Sequence, residues 1–163
     1  MHIKLINKKL LFNHYKIKCA VGKRGISKKE REGDNITPKG TFAFKSIFYR
    51  KDRVKKIKSS IKKTIIKKNM GWCDDPKSKW YNKQITFPFT NSAERLYLKS
   101  NIYDIIIVLD YNCKPIIKNK GSAIFIHLSK SDYKPTKGCI ALSKKDMCTL
   151  LNSIDKNNKI TIY

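Results

Sequence analysis

Cys139 and His127, twelve positions apart, are the residues in this chain of 163 whose types and spacing point most directly to a reaction. A thiolate rather than a thiol attacks a carbonyl, so a working cysteine needs a base within reach. His127 closes the apolar run Ala123-Ile124-Phe125-Ile126. A polar loop with Pro135 then leads to Thr136-Lys137-Gly138-Cys139 and a second apolar run, Ile140-Ala141-Leu142. A strand, a loop and a return bring imidazole and thiol side by side. Gly138 permits a backbone geometry that other residues resist and lets a substrate carbonyl come close. In such a turn the N–H groups of Lys137, Gly138 and Cys139 converge on one point, an oxyanion hole for a tetrahedral intermediate. The Lys137 ammonium favours the thiolate. A backbone carbonyl near the ring is the expected orienting partner of the imidazole. Spacing alone leaves a plainer alternative open, in which His127 is a satisfied core histidine and Cys139 a buried thiol.

The remaining cysteines, at 19, 73, 113 and 148, bring the count to five without paired spacing, which argues against a disulfide framework. They read as small buried hydrophobes. No Cys-x-x-Cys and no Cys/His cluster occurs, so no metal and no cofactor is expected. His2 and His14, near the N-terminus and without apparent partners, read as surface residues.

The formal charge is +25, from 37 basic and 12 acidic residues, an excess that attracts polyanions. The only arginines are Arg24, Arg31, Arg50, Arg53 and Arg95. Bidentate base readout leans on arginine, so sequence-specific nucleic-acid binding is not expected. The lysine, isoleucine and asparagine richness reads as drift across a whole proteome. No run of 18 apolar residues exists, so no transmembrane anchor is expected. Met1 to Leu11 is basic but lacks an apolar block of signal-peptide length. The chain is therefore expected to stay in the cytoplasm, leave by an unusual route, or have lost a leader. A monomer is the expected state.

Several elements must position the pair. His2 to Ile6 and Leu10 to Phe12 suggest a hairpin turning at Lys8-Lys9, and Tyr15 to Val21 alternates as a strand. Gly22 to Gly40 is a long polar loop, and loops of that length are usually functional or mobile. Thr41 to Tyr49 returns to strand character. The lysine-rich segment around 50–69 carries Val54, Ile57, Ile61 and Ile65 at helical steps, but its serines and β-branched residues favour an irregular, solvated excursion over an amphipathic helix. Met70 to Asn82 holds both tryptophans beside Asp74 and Asp75; it suits a pocket wall for amines or sugars, or a plug at a sheet edge. Gln84 to Phe89 reads as a strand and Ser92 to Leu98, with Glu94, as a helical turn. Tyr103 to Tyr111 contains an unbroken apolar run and should be a central buried strand. Ser143 with Asp146 resembles a capping box, and Met147, Leu150, Leu151 and Ile154 give a helix face. Lys159 to Tyr163 closes as a strand. Without repeat or linker, residues 1–163 read as one domain with antiparallel β content and at least one packed helix.

His127 followed by Thr136-Lys137-Gly138-Cys139-Ile140 resembles the signature of the L,D-transpeptidase catalytic-domain family (YkuD-like). Further matches lie in order along nearly the whole chain. They are Val21-Gly22-Lys23 with Gly25, Lys29 to Gly40 with its Thr-Pro-x-Gly end, Gly71-Trp72-Cys73-Asp74, Tyr81-Asn82, Ser92 with Glu94, Tyr103-Asp104, and Gly121 to Phe125. These resemble the subgroup without accessory domains.

The resemblance implies a mainly β, β-sandwich-like fold with at least one packed helix, and a cysteine transpeptidase of peptidoglycan. By that analogy Cys139 attacks the carbonyl between the L-centre of diaminopimelate and D-alanine. D-Alanine leaves, and an amine or water resolves the thioester. His127 serves as base and then acid, and the amides of Lys137, Gly138 and Cys139 hold the oxyanion. Thr136, Ser122, Trp72, Asp74, Tyr81, Asn82 and Glu94 are the substrate-pocket candidates. Peptidoglycan stem peptides are the implied partners and the bacterial envelope or periplasm the implied place. Ala141 departs from the Arg or Asn that many members carry there, so a carboxylate contact from that position is absent. Two alternatives stand beside transpeptidation: hydrolysis as an L,D-carboxypeptidase, and a non-catalytic module binding an anionic wall polymer or nucleic acid.

Overall fold

The computed structural model describes all residues from Met1 to Tyr163. Its first elements are β1 (His2–Ile6), β2 (Lys9–Phe12) and β3 (Tyr15–Lys18), which pair in succession as antiparallel neighbours. The β1–β2 turn falls on Asn7 and Lys8 (φ 48° and 58°), one residue earlier than expected. Two successive left-handed residues match the right-handed twist of the flanking strands. Within the long polar loop, β4 (Ile26–Ser27) and β5 (Thr37–Pro38) pair in parallel. The long β6 (Gly40–Tyr49) crosses the middle of the main sheet.

Residues 50–69 make the expected irregular excursion, pinned by buried Ile57, Ile61 and Ile66. One piece of it, β7 (Lys63–Ile65), pairs with β6, and Ile65, one of the four apolar residues at helical steps, is exposed. A second, three-stranded sheet consists of β8 (Met70–Cys73), β9 (Gln84–Thr86) and β10 (Ala93–Arg95). The helical turn expected at Ser92 to Leu98 is thus a strand. Glu94 sits opposite Trp72 across β8, and that cross-strand pairing outweighs the weak local preference.

The run Ile105-Ile106-Ile107-Val108-Leu109 forms β11, buried on both faces as expected. It is followed by β12 (Phe125–Leu128), β13 (Ile140–Leu142), the helix α1 (Lys144–Ser153) and β14 (Lys159–Ile162). Ser143 caps α1, accepting from the Asp146 N–H at 3.1 Å, and Met147, Leu150 and Leu151 face the core. The main sheet runs β13-β12-β11-β6-β14-β1-β2-β3, with β7 beside β6. Just beyond β3, Ala20 bridges back to Ala141 on β13, so the sheet nearly closes on itself. Its pairing is mixed rather than antiparallel throughout: β1–β14, β6–β7 and β12–β13 are parallel.

Period-two alternation sends side chains of one strand to two different cores. Ile126, Leu128, Ile140 and Leu142 join the larger cluster with α1. Phe125 joins a smaller one with Phe48, Trp72 and Tyr103, against which Cys139 packs. Ile107 is fully buried in the larger cluster. Ile107→Ala is expected to lower the unfolding free energy by about 2–5 kcal/mol, read from the denaturant midpoint. A change under about 1 kcal/mol would contradict close packing around β11.

Candidate active site

The register of β12 against β13 sets Ile126 beside Ile140 and His127 beside Ala141. Phe125, His127, Cys139 and Ala141 consequently share the face turned away from α1. His127 lies inside β12 rather than at its end. Its buried ring meets the Tyr103 ring edge-on at 5.3 Å. Nδ1 is 2.9 Å from the Leu128 carbonyl oxygen. A carbonyl only accepts, so Nδ1 carries the proton and Nε2 is left with its lone pair. The orienting backbone carbonyl expected from the sequence is therefore that of Leu128. Burial lowers the imidazole pKa below its ordinary value, against the smaller opposing pull of the Leu128 carbonyl. The ring is neutral at neutral pH, the form a general base needs.

The Cys139 thiol donates to the Ala123 carbonyl at 3.1 Å and receives the Phe125 N–H at 3.4 Å. Burial pushes its pKa up to about 12; Glu94 adds to the rise, while the Phe125 N–H and the Lys29 ammonium oppose it. The resting pair is thus neutral thiol and neutral imidazole, without a hydrogen bond between them. Catalytic hydrogen bonds often tighten only once substrate is bound.

The turn before Cys139 is built by Thr136. Its hydroxyl donates to the Cys139 carbonyl at 2.6 Å and accepts the Gly138 N–H at 3.1 Å. That contact withdraws Gly138 from the three oxyanion donors expected, because its N–H is already committed to a side chain two residues away. The N–H groups of Lys137 and Cys139 have no partner in the protein. Gly138 itself has φ +139°, and a Cβ there would stand 2.9 Å from the Ile36 carbonyl oxygen. Buried Thr37 locks this turn from behind, accepting from the Gly22 N–H and donating to the Gly138 carbonyl, both at 2.8 Å.

Cys139 and His127 open on one cavity of about 960 Å³. Thr136, Lys137, Gly138, Ser122, Asp74 and Glu94 line it too. Its charge is divided: Glu32, Asp74, Asp75 and Glu94 contribute carboxylates, Lys29, Lys130, Lys134 and Lys137 ammonium groups. Burial raises the Glu94 pKa, helped by Asp74 and Glu32, and its carboxylate accepts from the Tyr103 hydroxyl. No cluster of three or more His, Cys, Asp or Glu side chains is placed to hold a metal.

Trp72, Tyr81 and Asn82 do not line this cavity; they lie behind its wall. Asn82 Oδ1 accepts both the Trp72 indole N–H and the Ala123 N–H at 3.0 Å. The Tyr81 hydroxyl accepts the Gly121 N–H at 2.9 Å and donates to Glu32. Tyr81 and Asn82 thus hold the 121–123 segment, whose Ala123 carbonyl holds the thiol, and Trp72 holds Asn82. Asn82→Leu strands two donors and is expected to cost about 1–3 kcal/mol of stability in a denaturant titration. An unchanged midpoint would contradict this bracing role.

Lys29 and Tyr103, absent from the sequence-derived pocket candidates, both line the cavity. Both belong to stretches that carried the family resemblance, but no local pattern singles them out. The charge of Lys29 draws the Cys139 pKa down and that of Lys137 draws the Glu94 pKa down. The expectation of buried spare thiols holds for Cys19 and Cys73, whereas Cys148 is exposed. The family model for the L,D-transpeptidase catalytic domain, YkuD, matches residues 4–162. A search of curated proteins finds no match.

Proposed function

The chain belongs to the L,D-transpeptidase catalytic-domain family, and from that membership we propose that it acts on peptidoglycan stem peptides through a Cys139 thioester. The observation that carries this reading is the pair, His127 on β12 and Cys139 in the turn just before the neighbouring β13, facing one cavity, with His127 Nδ1 occupied and Nε2 free to take a proton. Sγ attacks the carbonyl that links the L-centre of diaminopimelate to D-alanine while Nε2 removes the thiol proton. A C–S bond forms, and the negative oxygen lies against the N–H groups of Lys137 and Cys139. Collapse breaks the C–N bond. The imidazolium returns its proton to the departing amine, which leaves as D-alanine. An amine of a second stem then attacks the thioester, His127 takes its proton, and the thiol is restored as the new amide forms.

The divided charge of the cavity supports a ligand bearing both an ammonium and carboxylates, as a diaminopimelate stem does. The test is incubation with a disaccharide-tetrapeptide, followed by mass spectrometry. A cross-linked dimer with release of D-alanine is the expected product. Tripeptide alone would make the protein an L,D-carboxypeptidase, with water resolving the thioester. Neither product, from folded protein, would end the enzymatic reading.

A further inference from the structure

Lys29 is a lysine almost sealed from water, its side chain 3% exposed and that of its partner Asp34 1%. Their Nζ–Oδ1 distance is 2.5 Å, and Nζ also reaches the Ile36 carbonyl at 3.3 Å. Asp34 is tied back to its own loop, accepting N–H groups of Glu30 at 2.9 Å, Arg31 at 3.3 Å and Ile36 at 3.0 Å. The ion pair therefore has a direction, carboxylate turned into the loop and ammonium turned toward the Cys139 turn.

Two glycines mark how closely that lysine approaches. A Cβ on Gly121 would lie 2.3 Å from Lys29 Cε, and one on Gly138 would lie 3.6 Å from Lys29 Nζ. Gly121 leads into the segment whose Ala123 carbonyl holds the thiol, and Gly138 precedes the thiol itself. The lysine stem is thus wedged between the backbone segment that leads to the groups holding Sγ and the one that carries Cys139. Stability alone does not account for a charge there, because a buried ion pair is commonly matched by apolar side chains of the same volume.

We propose that Lys29, anchored by Asp34, is the positioning cation of the Cys139 site, spacing the Gly121 and Gly138 segments and biasing the sulfur toward thiolate. Among the groups around the sulfur, Glu94 opposes ionisation, Tyr103 and neutral His127 supply no positive charge, and Lys29 favours it. The exposed lysines of the cavity rim are screened by salt, whereas a sealed ammonium is not. This inference rests on Cys139 being the nucleophile of the reading above. Its test needs no substrate, so the two fail separately.

The experiment is the rate of iodoacetamide modification at Cys139, followed by peptide mass spectrometry at about pH 8. At that pH the rate follows the thiolate fraction, partly offset by the greater nucleophilicity of a more basic thiolate, so one unit of pKa is about threefold to tenfold. Lys29→Met is expected to slow modification several-fold. Mere loosening of the site would do the reverse, since a thiol released into water ionises more readily. An unchanged or faster rate overturns the proposal. Lys63→Met removes an equal charge from exposed β7 and is expected to leave the rate unchanged; an equal slowing there would assign the effect to net charge and overturn it as well. Lys29→Met/Asp34→Asn, which removes both charges together, is expected to slow modification likewise if the single variant does not fold. The unaltered protein supplies a further arm. Its Cys139 rate should hold within about twofold as salt rises from roughly 0.05 to 1 M, and a steep fall would transfer the role to the exposed lysines.

Discussion

Cys139→Ala is expected to abolish turnover of a tetrapeptide stem, a loss on the order of 10⁶-fold, while the protein stays folded. No neighbouring group can replace the sulfur. The other side chains of its face are Phe125, His127 and Ala141, of which only His127 is nucleophilic, and its part in the proposed mechanism is to move the proton. The half-buried thiol is held by the Ala123 carbonyl and the Phe125 N–H, so its removal costs two weak sulfur hydrogen bonds and little volume. Far-ultraviolet dichroism and the melting transition should accordingly be near those of the parent protein. Intact mass gives a second reading, since a carbapenem should add to the parent chain and not to the variant. Turnover that survives the substitution would remove Cys139 from the mechanism.

His127→Gln is expected to lower kcat by about 10²–10⁴-fold with a smaller change in KM. Glutamine retains a polar group beside the Leu128 carbonyl but cannot accept the thiol proton and return it. The pH profile carries the sharper expectation. In the proposed mechanism neutral imidazole is the base, and burial holds its pKa below the ordinary 6.5. The acid limb of kcat/KM should therefore lie below pH 6.5, activity falling as the ring gains its proton. A limb well above that value would mean that His127 is not the titrating base. Because the thiol is pushed up to about 12, a preformed thiolate–imidazolium pair is not expected. Modification of Cys139 should climb across the alkaline range rather than reach a plateau near neutrality.

The same depressed pKa bears on stability. Folding holds His127 less basic than in the unfolded chain, so the unfolded state binds more protons in the interval between the two values. Its contribution is complete above about 6.5 and declines as pH falls toward the folded value.

Much of the positioning framework was legible because it is written locally. Five apolar residues in a row announced β11, the Ser143–Asp146 spacing announced the cap of α1, and alternation announced the N-terminal hairpin. Where local preference was weak, long-range pairing decided. Ala93–Arg95 looked like a helical turn until Trp72 stood opposite Glu94, and Lys63–Ile65 became a strand only by lying beside β6. Trp72, Tyr81 and Asn82 were legible as important and misread as pocket wall. The aromatic and amide groups that recognise a ligand are chemically the same as those that brace a backbone segment.

By itself the sequence singled out Cys139 and His127 as the candidate pair, because a thiol behind a glycine turn and an imidazole closing an apolar run are visible in residue types and spacing alone. The same local chemistry named the Thr136 turn and the glycine within it. Only the tertiary structure decided which cation bears on the sulfur, which amides remain free for an oxyanion, and which carbonyl holds the thiol at rest. Each of those depends on groups brought together from distant parts of the chain, as when the Thr37 hydroxyl meets the Gly138 carbonyl across 101 positions. In a chain with lysine spread along its whole length, composition cannot distinguish the one lysine that folding seals from water. Burial strengthens its charge beside Cys139, while the exposed lysines remain hydrated and screened.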